Sequence, residues 1–206
     1  NFGHMGKRPS HPALLDWLAS RLKTNNWPIK ETIRDIVLSR TYRLSCSHSA
    51  KNNELDPTNN FLWRAPIKRL DAESLRDAML HVSGELELTP PDGSVIASFN
   101  DREFNDRVHP SAEQLSSTHR SVYLPIARYW VPDMLHEFDF ADPSLVVGKR
   151  TERTMASQSL FLMNSQIITD RAMRIAKDIA AQPEEERATA AFRKILLRDP
   201  TTSETT

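Results

Sequence analysis

Cysteine is nearly missing from this chain: Cys46 is the single one in 206 residues. One cysteine excludes an internal disulfide and any zinc site built on several thiolates. Cys46-Ser-His48 also lacks the spacing of a covalent haem attachment, Cys-x-x-Cys-His. Glycine is scarce as well, five residues scattered singly, so no glycine-rich loop exists to cradle a phosphate. Neither charge sign is in excess: 27 Lys plus Arg meet 27 Asp plus Glu, and no global field draws the protein to nucleic acid or anionic lipid. No apolar run approaches the length of a membrane span, and the N-terminus has neither the basic start nor the apolar region of a secretory signal. The seven histidines (4, 11, 48, 81, 109, 119, 136) include no i, i+3 or i+4 pair on one helix, so no metal site is expected. There is no Gly-x-Ser-x-Gly motif, and the nearness of Cys46 to His48 in a polar loop is best read as chance.

What the chain does have is amphipathic helix. The central one is the most complete: Asp71 as N-cap, Leu70 to staple onto Leu75, a buried stripe of Leu75, Ala78, Met79 and Val82, and Gly84 at the left-handed C′ position. Before it, Ser10-His11-Pro12 opens a helix with a stripe of Leu15, Leu18 and Leu22, flanked by Leu14 and Trp17. Pro28 starts a second helix, with Ile29, Ile33, Ile36 and Val37 as its buried positions. The pair reads as an αα-hairpin. Residues 43–60 turn polar and are expected to form a surface loop.

After Gly84, Pro90-Pro91-Asp92-Gly93 between Leu86, Leu88 and Val95, Ile96 predicts a small hairpin. Residues 100–119 read as a long mobile loop, and 120–130 as an extended buried connector, since Pro125 bars a central strand. A short helix over 132–138 and a turn over 138–144 follow. Residues 158–163 are apolar on nearly all sides, which predicts a central position. A long amphipathic helix carries Ile168, Ala172, Ile175, Ala176 and Ile179. The last helix begins with three glutamates and ends with Arg193, Lys194 and Arg198, complementing its dipole, with Ala188, Ala191, Phe192, Ile195 and Leu196 inward.

The expected fold is mostly α: a single helical domain over 1–206 with long loops and at most one small β-hairpin. Its parts are an αα-hairpin (1–45), the central helix (61–84), a loop-rich connector (85–150) and C-terminal helices (151–200). The start at Asn1, and the capping-box spacing Thr201 to Glu204 with no helix after it, predict an excerpt truncated at both ends.

One polar cluster is a candidate for chemistry: Arg120, Tyr123 and Arg128, then Glu137, Asp139 and Asp142, then Arg150, Thr154, Gln158 and Asn164. Acids near arginines in a proline-rich connector suit a pocket with one carboxyl kept protonated for general acid work. They equally suit a network that fixes a long connector against the helices, and the structural use is the commoner one.

Several blocks, none specific alone but distinctive in order and spacing, carry a resemblance. They are His11-Pro-Ala-Leu-Leu-Asp-Trp-Leu-Ala19, Ser39-Arg-Thr-Tyr-Arg43, Trp63-Arg64, Arg69-Leu-Asp-Ala-Glu-Ser-Leu-Arg-Asp-Ala78, Val82-Ser-Gly84, Arg120-Ser-Val-Tyr-Leu-Pro125, Phe138-Asp-Phe-Ala-Asp-Pro-Ser144 and Gln158-Ser-Leu-Phe-Leu-Met-Asn164. Along nearly its whole length the chain resembles the C-terminal domain of unknown function (domain of unknown function fifteen fifty-three) of large secreted planctomycete-type proteins. The resemblance implies an exported protein of the periplasm or cell envelope, in a redox or polysaccharide-related setting, with haem carried elsewhere in the parent protein and no cofactor in this chain. It implies no catalytic residue. Two positions depart from the family's pattern: Pro28 stands where a capping serine is usual, and Met155-Ala156-Ser157 replaces a Val-Pro-Thr-like run.

Three functions follow as expectations. The first is a non-enzymatic docking or scaffold module, whose partners are other domains of the same polypeptide, envelope proteins or polysaccharide. The second is a polysaccharide-related hydrolase or glycan-binding domain centred on Arg128, Asp139, Asp142 and Gln158. The third, nucleic-acid binding by a helix-turn-helix, rests on nine Lys or Arg against three acids in residues 1–51. Solvated basic faces on αα-hairpins outnumber recognition helices, which places it last.

Overall fold

A computed structural model of the chain describes residues 3–6, 8–24, 26–94, 97, 117–126, 131–148, 150 and 153–205. Eight α-helices run through them: α1 Pro12–Thr24, α2 Ile29–Leu38, α3 Ala50–Leu55, α4 Ala72–Val82, α5 Asp133–Glu137, α6 Ala156–Asn164, α7 Gln166–Ala180 and α8 Glu184–Leu196. Among the described residues there is no strand, only an isolated parallel bridge between Glu87 and His119. The mostly α class is as the periodicities indicate. The chain divides into two compact units, Asn1–Arg69 and Leu70–Thr206.

In the second unit α4 is the organising element, packing against α5, α7 and the 3-10 turn Ser121–Tyr123. Its start is fixed by main chain: the Asp71 carbonyl accepts the Leu75 N–H at 2.8 Å, while the Asp71 carboxylate makes no capping bond. Its end is a complete Schellman motif. Gly84 at φ +75° gives its N–H to His81 O (3.0 Å), and Glu85 gives its own to Leu80 O (2.8 Å).

The stripe foreseen on α4 is half-buried, and the deepest positions are Ala72 and Leu80. The helix is therefore covered on two sides rather than one. Ala72, Leu75 and Met79 join Leu124, Met134, Leu135 and Phe138 in the core, with Phe161 edge-on to Phe138. Leu80 and Leu135 are completely buried, and each such leucine stabilises by about 2 kcal/mol.

Several expectations are corrected here. The apolar helix α6 is not central: Leu160, Leu162 and Met163 are exposed, Phe161 is half-buried, and its only buried residue is Gln158. Apolar composition without a clear stripe gave no face to bury. On α8, Ile195 and Leu196 are exposed, while Ala188, Ala191 and Phe192 turn inward. The first arm of the foreseen hairpin pairs elsewhere, since Glu87 N–H donates to Thr118 O at 2.9 Å. Its second arm, Val95 and Ile96, lies outside the described residues, as does most of the long loop foreseen at 100–119. The connector foreseen as extended and buried instead winds a 3-10 turn over Ser121–Tyr123; it buries Ser121 and Leu124 but leaves Val122 exposed, and 127–130 lie outside the described residues.

In the first unit α1 and α2 form the αα-hairpin. Its turn carries Asn26 and Trp27 at φ +58° and +61°, closed by Trp27 N–H to Leu22 O at 2.8 Å. Arg21 and Asp35 link the helices at 2.5 Å. The isoleucines of α2 are not buried: Ile29, Ile33 and Ile36 are all exposed, and only Val37 is half-covered. The polar stretch 43–60 is not all loop either. Ser49 caps α3 by accepting the Asn52 N–H.

Candidate functional site

The polar residues of the second unit separate into three groups. The first is built on Gln158, buried at the third position of α6. Its Oε1 accepts the Met155 N–H (3.1 Å), and its Nε2 donates to Glu137 O (2.9 Å) and Asp139 Oδ2 (3.5 Å). Asp139 sits at φ +61° in the turn after α5; its carboxylate accepts the Arg153 N–H at 2.9 Å and faces the Arg153 guanidinium at 3.4 Å. One amide thus ties the entry to α6 to the exit from α5.

The second group is a fork. Arg150 grips both oxygens of Glu73 on α4, at 2.5 and 2.7 Å, and stacks over Phe140 at 5.0 Å. The Arg150 hydrogen bond holds the Glu73 carboxyl below its usual range, outweighing the opposite pull of burial.

The third group pins residues 117–121 to α4. Arg76 donates to the carbonyls of His119 (3.0 Å) and Ser117 and to Ser121 Oγ (3.1 Å). Asp77 accepts from both the N–H and the hydroxyl of Ser121, at 2.7 and 2.6 Å, and faces Arg120 at 4.0 Å. Burial lowers the Arg76 pKa, with Asp77 opposing and Arg171 adding to the effect.

The candidate cluster is therefore dispersed. Asp139, Glu137 and Gln158 meet, but the acid partner of Arg150 is Glu73, and that of Arg120 is Asp77. Asp142 is exposed and accepts the Ser144 N–H (2.8 Å), shaping its own turn. Asn164 is exposed and bonds Leu160 O one turn back; Thr154 is exposed; Tyr123 lies half-buried in the 3-10 turn. Arg128 lies outside the described residues.

The residues missed by sequence reasoning are Glu73, Arg76, Asp77 and Ser121. The signal for the first three was a charged edge on α4 beside Leu80, which the periodicity of the apolar face hid; Ser121 lies outside α4, in the 3-10 turn. Asp56 in the first unit was missed too. It is buried, and its carboxylate accepts the N–H groups of Asn60 (2.9 Å) and Phe61 (2.8 Å), while its carbonyl takes the Trp63 indole N–H (3.0 Å).

Among the described residues no buried side-chain nitrogen or oxygen lacks a partner. No three His, Cys, Asp or Glu side chains there gather as a metal would require. An open cleft of about 570 Å³ lies between the end of α4 and α7, lined by the carboxylates of Glu85, Asp170 and Asp178 and the cations Arg171, Arg174 and Lys177. Asp170 accepts from Gln166 Nε2 at 2.7 Å and Asp178 pairs with Lys194 at 2.7 Å. Glu85 is shared there by Arg171 (3.6 Å) and Arg174 (3.4 Å).

The class so defined is an α-helical protein whose charged side chains fasten loops to helices. The chain belongs to the PSD1 family, described as a protein of unknown function (DUF1553), whose family model matches residues 1–206. No curated protein and no solved structure matches it. No helix among the described residues is long and apolar enough to cross a membrane.

Proposed function

We propose that this chain is a non-enzymatic docking or scaffold module of a multidomain cell-envelope protein. The observation that carries the reading is the engagement of the candidate acids. Asp139 is held by Arg153 and Gln158, Glu73 by Arg150, and Asp77 by Ser121, Arg76 and Arg120. A glycosidic acid pair instead needs two carboxyl groups facing one open cleft. The exported setting, and a haem domain elsewhere in the parent protein, rest on the resemblance of the sequence blocks.

Thermal melts of Asp139→Ala and Gln158→Leu test the structural use of the network. Gln158→Leu leaves the Glu137 carbonyl and the Met155 N–H unpaired, for a loss of about 2–4 kcal/mol. Asp139→Ala removes the acceptor of the Arg153 N–H, and its melting temperature is expected to fall as well. Unchanged or raised melting temperatures in both variants mark the groups as a ligand site. Release of reducing ends from neutral or sulfated polysaccharide by the parent chain overturns the non-enzymatic reading directly.

A further inference from the structure

We propose that the outer face of the α1–α2 hairpin docks on an anionic lipid surface. The inference goes beyond the docking-module reading and is independent of it, because it concerns the first unit, whereas that reading rests on the second. Ile29, Ile33 and Ile36 recur at i, i+4 and i+7 on α2 and stand exposed, Ile29 at 68% and Ile33 at 53%. The bulky side chains Trp17 and Trp27 are exposed on the same hairpin. Three aligned isoleucines over two turns, left in water, need a cover, and the charges beside them indicate its chemistry.

Lys30 and Arg34 each follow an isoleucine by one position, so they border the stripe along its length. Among the described residues neither makes an ion pair with a carboxylate, whereas Arg21 does, with Asp35. The neutral total conceals an uneven distribution, because residues 1–69 hold twelve Lys or Arg against five Asp or Glu. An apolar stripe bordered by cations, with exposed tryptophans on the same hairpin, is the pattern of a helix lying in the plane of a membrane interface. There isoleucine enters the acyl boundary while Lys and Arg stems reach back to anionic headgroups. A nucleic-acid backbone satisfies only the cations and leaves the isoleucines wet, so the helix-turn-helix reading fits this face less well.

The test is co-sedimentation of the whole chain with vesicles of phosphatidylcholine alone and of phosphatidylcholine mixed with phosphatidylglycerol, with tryptophan emission recorded in parallel. Binding to the mixed vesicles is expected, weakening as salt rises and accompanied by a blue shift. Ile29→Ser with Ile33→Ser, and separately Lys30→Glu with Arg34→Glu, should each lower the affinity by about tenfold or more. All four side chains are exposed or unpaired, and circular dichroism checks that the helices remain. Failure of the parent chain to bind the mixed vesicles overturns the proposal. So does binding that the isoleucine variant leaves unchanged, or equal capture by soluble dextran sulfate, since either marks simple attraction to a polyanion.

Discussion

Asp56 is the one buried residue among those described in the first unit, and it is charged. Burial alone raises its carboxyl pKa; the N–H groups of Phe61 and Asn60 and the Thr58 hydroxyl outweigh that and leave it below the usual range. A carboxyl depressed in the folded state stabilises at pH values above its unfolded pKa, and that contribution is lost as pH falls through the folded value. Asp56→Asn presents an amide NH2 to groups that are themselves donors, so the variant should melt below the parent near neutrality. The gap between them should then narrow in acid, as the parent loses the same term. Denaturation curves recorded down the acid range check this, and a gap independent of pH would show that the charge of Asp56 is immaterial. Glu204 behaves alike at the other end, where the Arg198 fork and Thr201 push it down to about 2, so its contribution is lost between pH 4.5 and about 2.

Helix ends show which local signals were readable. Gly84 was identified from sequence as a left-handed C-cap, because only a residue without a Cβ adopts φ +75° at little cost. A Cβ placed there meets no atom within 4 Å, so Gly84→Ala should cost about 1 kcal/mol through backbone strain alone. The opposite experiment exists at α8, which ends on Leu197 at φ +55° with its side chain 88% exposed. Leu197→Gly relieves that strain without losing core contact and should stabilise by up to about 1 kcal/mol, after the entropy that glycine adds to the unfolded chain. Chemical denaturation of the two variants beside the parent should move their midpoints in opposite directions. Leu197 was not foreseen as a cap because its left-handed conformation breaks the residue preference. The partner of Arg150 was not foreseen either: Glu73 lies 77 residues earlier, and nothing local indicates which of many acids a long connector will bring near. The exposed isoleucines had a readable period, but a period specifies a face and not what covers it.

At the scale of the whole molecule, burial is distributed unevenly. Every buried apolar residue among those described, Ala72, Leu80, Leu124, Met134, Leu135 and Phe138, belongs to the second unit. The first unit is held instead by the Arg21–Asp35 pair, the hydrogen bonds around Asp56 and half-buried leucines, with Arg64 stacked over Trp63 at 4.7 Å. An exposed ion pair contributes about 0.2–1 kcal/mol, against about 2 kcal/mol for one fully buried leucine. Local opening should therefore take far less free energy in α1 and α2 than in α4 and α5. Hydrogen exchange followed by mass spectrometry should find the slowest amides in 75–82 and 136–140 and the fastest helical amides in α1 and α2. Uniform protection across both units would mean that they open together. With anionic vesicles present, α1 and α2 should gain protection while α4 and α5 stay as they were, because a ligand slows exchange in the segment whose opening it opposes.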